Sequence, residues 1–95
     1  CTSCHALGGT PASLNAVGPA GQVAPNLTRM GSRTTIAAGQ LENTADNLVR
    51  WIKDPTSIKP GALMPSVTEA AGGWPATSLT DAQIETLAAY LLSMR

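Results

Sequence analysis

The first five residues constrain this chain more than any other segment. Cys1-Thr2-Ser3-Cys4-His5 sets two thiols three positions apart, with an imidazole immediately behind the second. A local Cys1–Cys4 disulfide is one use of such a pair. Half of a zinc site is another, but zinc wants two further Cys or His ligands and the chain has no other Cys or His. A thioredoxin-like redox pair wants a strand before the motif and a helix after it. The remaining reading uses all three side chains. In the C-x-x-C-H attachment pattern two thiols on one turn add to the two vinyl groups of a haem, and the next residue turns its ring to the iron.

Composition favours that last reading. The 95 residues make one small domain, marginal on its own core. Two tryptophans, one tyrosine and no phenylalanine thin the core further, because aromatics supply the largest buried areas. Nine glycines and seven prolines add loop rather than packed structure. A flat macrocycle would give short helices the missing apolar surface. Six basic and six acidic residues cancel and are scattered, which excludes a nucleic-acid footprint and argues against strong steering of a charged partner. The apolar run Leu87–Leu92 is far below the ~20 residues needed to span a membrane. With no signal peptide, the sequence reads as a mature form or a fragment.

The periodicity predicts an all-α domain of short helices and long loops. Residues 6–40 show no sustained period and read as one long loop lying against something rigid. The first helix is expected over Thr44–Lys53, with Thr44 as N-cap and Ala45, Leu48, Val49 and Ile52 on one face. Pro55 ends it near Asp54. A second irregular stretch, 55–79, has room for a helical turn at Ser66–Ala71. The closing helix starts at the capping-box pair Thr80 and Gln83, with Ile84, Leu87, Ala88 and Leu91 on one face.

A haem iron held by His5 needs a sixth ligand, and methionine opposite histidine is the electron-transfer arrangement. Met94 falls in the last turn of the closing helix, where packing is the simpler role. Met30 sits beside Arg29 in the first loop. Met64 lies in Lys59-Pro60-Gly61-Ala62-Leu63-Met64-Pro65, a segment stiffened by proline on both sides. Such a strap can hold a thioether near the iron without a helix, so Met64 is the expected ligand; its alternative is to fill a gap in the core.

The early C-x-x-C-H, the Pro-Asn-Leu loop, a Trp-bearing helix, the Met-Pro strap and a closing Leu-x-x-Tyr-Leu helix together resemble the monohaem cytochrome c family. More narrowly, Pro25-Asn26-Leu27-Thr28 with Gly31–Gly39, and Asn47–Pro55 leading into Ile58-Lys59-Pro60-Gly61, resemble one branch. That branch is the cytochrome c domain at the C-terminus of subunit II in caa-type haem–copper oxidases, and the likeness covers nearly all of residues 1–95. It implies one haem c attached through Cys1 and Cys4, with His5 and Met64 on the iron. The Pro25 carbonyl should accept the His5 Nδ1–H. Trp51 and Arg33 should donate to a haem propionate, or else Trp51 packs on the haem edge and Arg33 stays solvated. Tyr90 and Leu87 should meet the family's N-terminal helix and the haem.

The resemblance implies outer-sphere electron transfer rather than catalysis by this domain itself. A soluble electron-donor protein would deliver the electron, and the copper-binding domain of oxidase subunit II would receive it. Haem c is attached after export, which implies the periplasmic side, or outer face, of the cytoplasmic membrane, with the parent subunit as the only membrane contact. Other expectations are a free-standing or dehydrogenase- or reductase-fused cytochrome, and a sensor or peroxidase with an open iron. The sequence departs from the family in two places. It starts at the first cysteine, so the helix that precedes the motif is expected upstream of Cys1, and Thr68–Ser78 is longer than the pattern requires, with Trp74 inside it.

Overall fold

Two helices frame the domain, and the sequence accounts for both ends of the first and the start of the second. In the computed structural model, which describes residues 4, 5 and 24–95, α1 spans Ala45–Lys53. Thr44 is extended, at φ −120° and ψ 161°, and its hydroxyl accepts the Asn47 N–H at 3.2 Å, satisfying one of the donors that a helix start leaves open. Asp54 turns out of the helix at φ −149°, as the proline after it demands. Pro55 then opens the single turn α2, Pro55–Ile58, where its missing N–H costs nothing. The last helix, α3, spans Asp81–Ser93. Thr80 and Gln83 cap it reciprocally: the Thr80 hydroxyl accepts the Gln83 N–H at 3.2 Å, and Gln83 Oε1 accepts the Thr80 N–H at 2.9 Å.

The apolar faces of these helices meet. Leu48 and Ile52 of α1 and Ile84, Ala88 and Leu91 of α3 form one buried cluster with Met30 and Ile36. No aromatic ring belongs to it, and the largest fully buried side chains are Leu48, Ile84 and Pro55. Each buried Leu or Ile contributes roughly 1.5–3 kcal/mol, so the core among the described residues is small. Trp51, Met64, Val67, Leu87 and Met94 pack around its margin, half-buried.

The expectation of an all-helical domain with one structureless loop needs correction. Residues 6–23 lie outside the described residues, but beyond them the chain makes a 3₁₀ turn at Met30–Ser32 and a small hairpin. Strand β1, Thr35–Ile36, pairs antiparallel with β2, Leu41–Glu42, setting Thr35 opposite Glu42 and Ile36 opposite Leu41. Strands this short leave no alternation to read. Their turn is also unannounced, because Ala37 and Ala38 adopt φ 54° and 55° before Gly39 at 85°, and alanine is not a turn residue.

A helical turn is absent from Ser66–Ala71. The buried Ser66 hydroxyl accepts the backbone N–H groups of Thr68 at 3.2 Å and Glu69 at 2.8 Å, the bonds of a helix cap. Ser66 N, however, donates to Glu69 O at 3.0 Å, and the segment turns back instead of continuing. Ala71 and Trp74 then pair across Gly72 and Gly73, with N···O distances of 3.0 and 2.9 Å. Both irregular segments are moored to helix ends. Gly31 N donates to Met94 O at 2.7 Å and Val67 N to Lys53 O at 3.2 Å, using terminal carbonyls that lack a partner inside the helix. None of the helices among the described residues is long and apolar enough to cross a membrane.

These backbones predict two changes in stability. Ala38 is exposed, and a left-handed alanine costs roughly 1–2 kcal/mol, more than the ~0.5–1 kcal/mol of chain entropy a glycine adds. Ala38→Gly is therefore expected to stabilise by about 0.5–1 kcal/mol in chemical denaturation. Thr80→Ala is expected to destabilise by about 1 kcal/mol, read in the same titration.

Candidate haem site

The site begins at His5. Its Nδ1–H donates to the Pro25 carbonyl oxygen at 2.7 Å, and because a carbonyl can only accept, the proton is fixed on Nδ1. In the neutral ring this leaves the lone pair on Nε2, the form in which imidazole binds a metal. Cys4, beside it, carries a free, half-buried thiol. Cys1 lies outside the described residues.

Pro25 is held by the turn on its C-terminal side. Asn26 is buried at 7 % exposure, and its Oδ1 accepts both the Thr28 N–H, at 2.9 Å, and the Thr28 hydroxyl, at 2.6 Å. This closes an Asx-type turn directly after the proline. Arg33 reaches back to the same turn: one guanidinium nitrogen donates to the Asn26 carbonyl and, at 3.4 Å, to the Thr28 carbonyl. Asn43 secures the other end of this loop, its Nδ2 donating to Met30 O at 2.8 Å and Arg33 O at 2.9 Å. Thus Arg33, read in the sequence as a donor to a carboxylate, spends part of its fork on the chain's own backbone.

Trp51 and Met64 both pack on the core cluster. Trp51, on α1, is half-buried against the core, and its indole N–H has no hydrogen-bond partner among the described residues. Met64 is half-buried against the same core from an irregular segment. Met30 is buried at 6 % exposure and Met94 also packs on the core, so both have a structural role. Leu87 is half-buried, whereas Tyr90 is 53 % exposed. Leu87 borders an open groove of about 420 Å³ lined also by Leu79, Ala82, Gln83 and Thr86, on the helix where the resemblance seats the family's N-terminal helix.

These residues suit a haem. Among the described residues no group of three or more His, Cys, Asp or Glu side chains could hold a metal ion. A porphyrin iron, which brings most of its own donors, is compatible with a single imidazole. The tautomer that Pro25 imposes and the free thiol one position before the histidine match the attachment chemistry. Half-buried apolar side chains around an aromatic-free core leave surface for a macrocycle to cover.

Comparison with known proteins agrees. The sequence model of the Cytochrome c family matches residues 1–95, and the chain belongs to that family. Membership implies haem c and supports electron transfer as the domain's work. Three curated relatives match along its whole length, each named cytochrome c oxidase subunit 2. The protein of Alkalihalophilus pseudofirmus is 39 % identical over 95 residues, that of Bacillus sp. strain PS3 40 %, and that of Bacillus subtilis strain 168 38 %. The chain spans 22 % of the first relative's length and 23 % of the other two.

Sequence reasoning missed Asn26, although Asn-x-Thr is a turn signal, and missed the buried hydroxyl of Ser66. Replacing Asn26 with alanine leaves the Thr28 N–H without its acceptor. Asn26→Ala is expected to lower stability by about 1–3 kcal/mol and to disturb the Pro25 carbonyl, read as a shift of the His5 ring resonances by NMR.

Proposed function

We propose that this domain is the electron-carrying module of a haem–copper oxidase subunit II. The reading rests on 38–40 % identity over all 95 residues to three proteins of that name. A soluble electron-donor protein reduces the domain, and the copper-binding domain of subunit II takes the electron from it. The module then works on the outer face of the cytoplasmic membrane, attached to it through the parent subunit. It is a carrier and leaves catalysis to the complex.

When bound, the haem supplies a one-electron Fe(II)/Fe(III) couple. Cys1 and Cys4 would anchor it covalently, and His5 and Met64 would ligate its iron. Each residue's part is set by its surroundings. Pro25 holds the proton on His5 Nδ1 and so fixes the ring orientation. A neutral thioether ligand from Met64 would favour the reduced state and raise the potential. Met64 sits between Pro60 and Pro65, which restrict the backbone and limit its movement when the oxidation state changes. Trp51 and Arg33 offer N–H donors for a carboxylate at the haem margin.

Docking should be mainly apolar, because the chain has no net charge and lacks a steering field. The rate of reduction by the donor is expected to vary less than about threefold as salt rises, against the ~10- to 1,000-fold of steered pairs; a steep decline would contradict apolar docking. Met64→Ala is expected to abolish the absorption band diagnostic of methionine–Fe(III) ligation and to lower the potential. Persistence of that band would remove Met64 as the ligand.

A further inference from the structure

Ser66–Ser78, part of the irregular run between α2 and α3, is folded back on the segment that carries Met64, and the contact is close. Gly72, at φ 58°, lies so near Leu63 that a methyl group on its Cα would stand 2.5 Å from the Leu63 carbonyl oxygen and 3.1 Å from its Cβ. Leu63 is itself 66 % exposed, so its position is not set by burial of its side chain in the core. Gly73 is the instructive neighbour. It too has a positive φ, 82°, yet a methyl group there would meet nothing within 4 Å.

The other side of Met64 is tied as well. Buried Ser66 gathers the turn through its hydroxyl and accepts the Thr77 N–H on its carbonyl at 2.9 Å. Val67 donates to the end of α1 at Lys53 O and accepts the Ser78 N–H at 3.2 Å. Met64 therefore lies between Leu63, backed by the Ala71–Trp74 hairpin, and the Ser66–Val67 knot. We propose that the hairpin is a buttress for the methionine strap and that Gly72 is its positioning residue, allowing the close approach that holds the Met64 thioether in place.

The proposal rests on Met64 being the iron ligand, and the test separates the two. In the haem-loaded ferric protein, imidazole must displace the resident ligand, so its apparent affinity reports how firmly Met64 is held. Gly72→Ala is expected to raise that affinity about tenfold, the scale of effect for residues that support a metal ligand, with weakening of the methionine–Fe(III) band. Gly73→Ala carries the backbone strain without the clash and should stay within about twofold of the parent. In a Met64→Ala background, adding Gly72→Ala should change imidazole affinity no further, as for two changes acting through one contact.

An unchanged affinity in Gly72→Ala, an equal shift in Gly73→Ala, or a full shift that persists without Met64 overturns the buttress. Retention of the band in Met64→Ala overturns the ligand assignment, and the buttress with it. If Gly72→Ala does not yield haem-loaded protein, Ser66→Ala loosens the same turn from its other side. It is expected to raise imidazole affinity about threefold, and no change would overturn the proposal.

Discussion

The packing of α1 on α3 is the constraint on which the rest of this domain depends. Leu48 and Ile52 meet Ile84, Ala88 and Leu91 in a buried cluster without an aromatic side chain, so the helices supply a frame but little bulk. They also supply two C-terminal ends, each with backbone carbonyls that no residue of the same helix can satisfy. One end accepts Gly31 N and the other Val67 N. The loop carrying Pro25 is thereby fixed to α3, and the segment carrying Met64 to α1. At Gly31 the approach is so close that a side chain would run into the Leu92 carbonyl.

Electron transfer places a particular demand on such a frame. On the reading proposed above, His5 and Met64 would have to stay put through a change of charge at the metal, yet the segments that carry them are loops. The chain meets this with small local bonds rather than with bulk. The carbonyl of Pro25 fixes the His5 ring, Asn26 and Arg33 close the turn around that carbonyl, and Ser66 gathers the turn on the far side of Met64. Each bond contributes only about 1 kcal/mol net. Their effect is positional, which is what a ligand set requires.

How much of this can be read in the sequence divides along physical lines. The bounds of α1 and the start of α3 are legible because caps act over three or four residues: Thr44, Pro55, and the Thr80–Gln83 pair each announce themselves locally. The end of α3 is not, since the helix stops at Ser93, one position before the Met94 that the sequence places inside it. The C-x-x-C-H motif can be proposed as a haem site from the sequence because its chemistry needs fixed residue types at fixed spacing, whereas Met64 has no such spacing to mark it. The β1–β2 hairpin is hidden by strands of two residues and by alanines in a left-handed turn. The expected turn of helix at Ser66–Ala71 fails for a related reason. Ser66 and Glu69 have the spacing of a helix start, but Ser66 N donates to Glu69 O and the segment turns back at the Gly72-Gly73 pair instead. Gly72's approach to Leu63 leaves no trace in the sequence, since it joins residues whose proximity only the fold creates.

The electron-carrying role depends on covalent haem at the C-x-x-C-H motif, and mass measurement under denaturing conditions tests this most directly. The protein is produced in a host that attaches haem, then unfolded in acid and organic solvent, which strips any haem held by ligation alone. The expected mass is that of the chain plus one haem, with the cofactor retained on a peptide containing Cys1 and Cys4. Recovery of the bare chain with both thiols free, under conditions where a known c-type cytochrome keeps its haem, would contradict it.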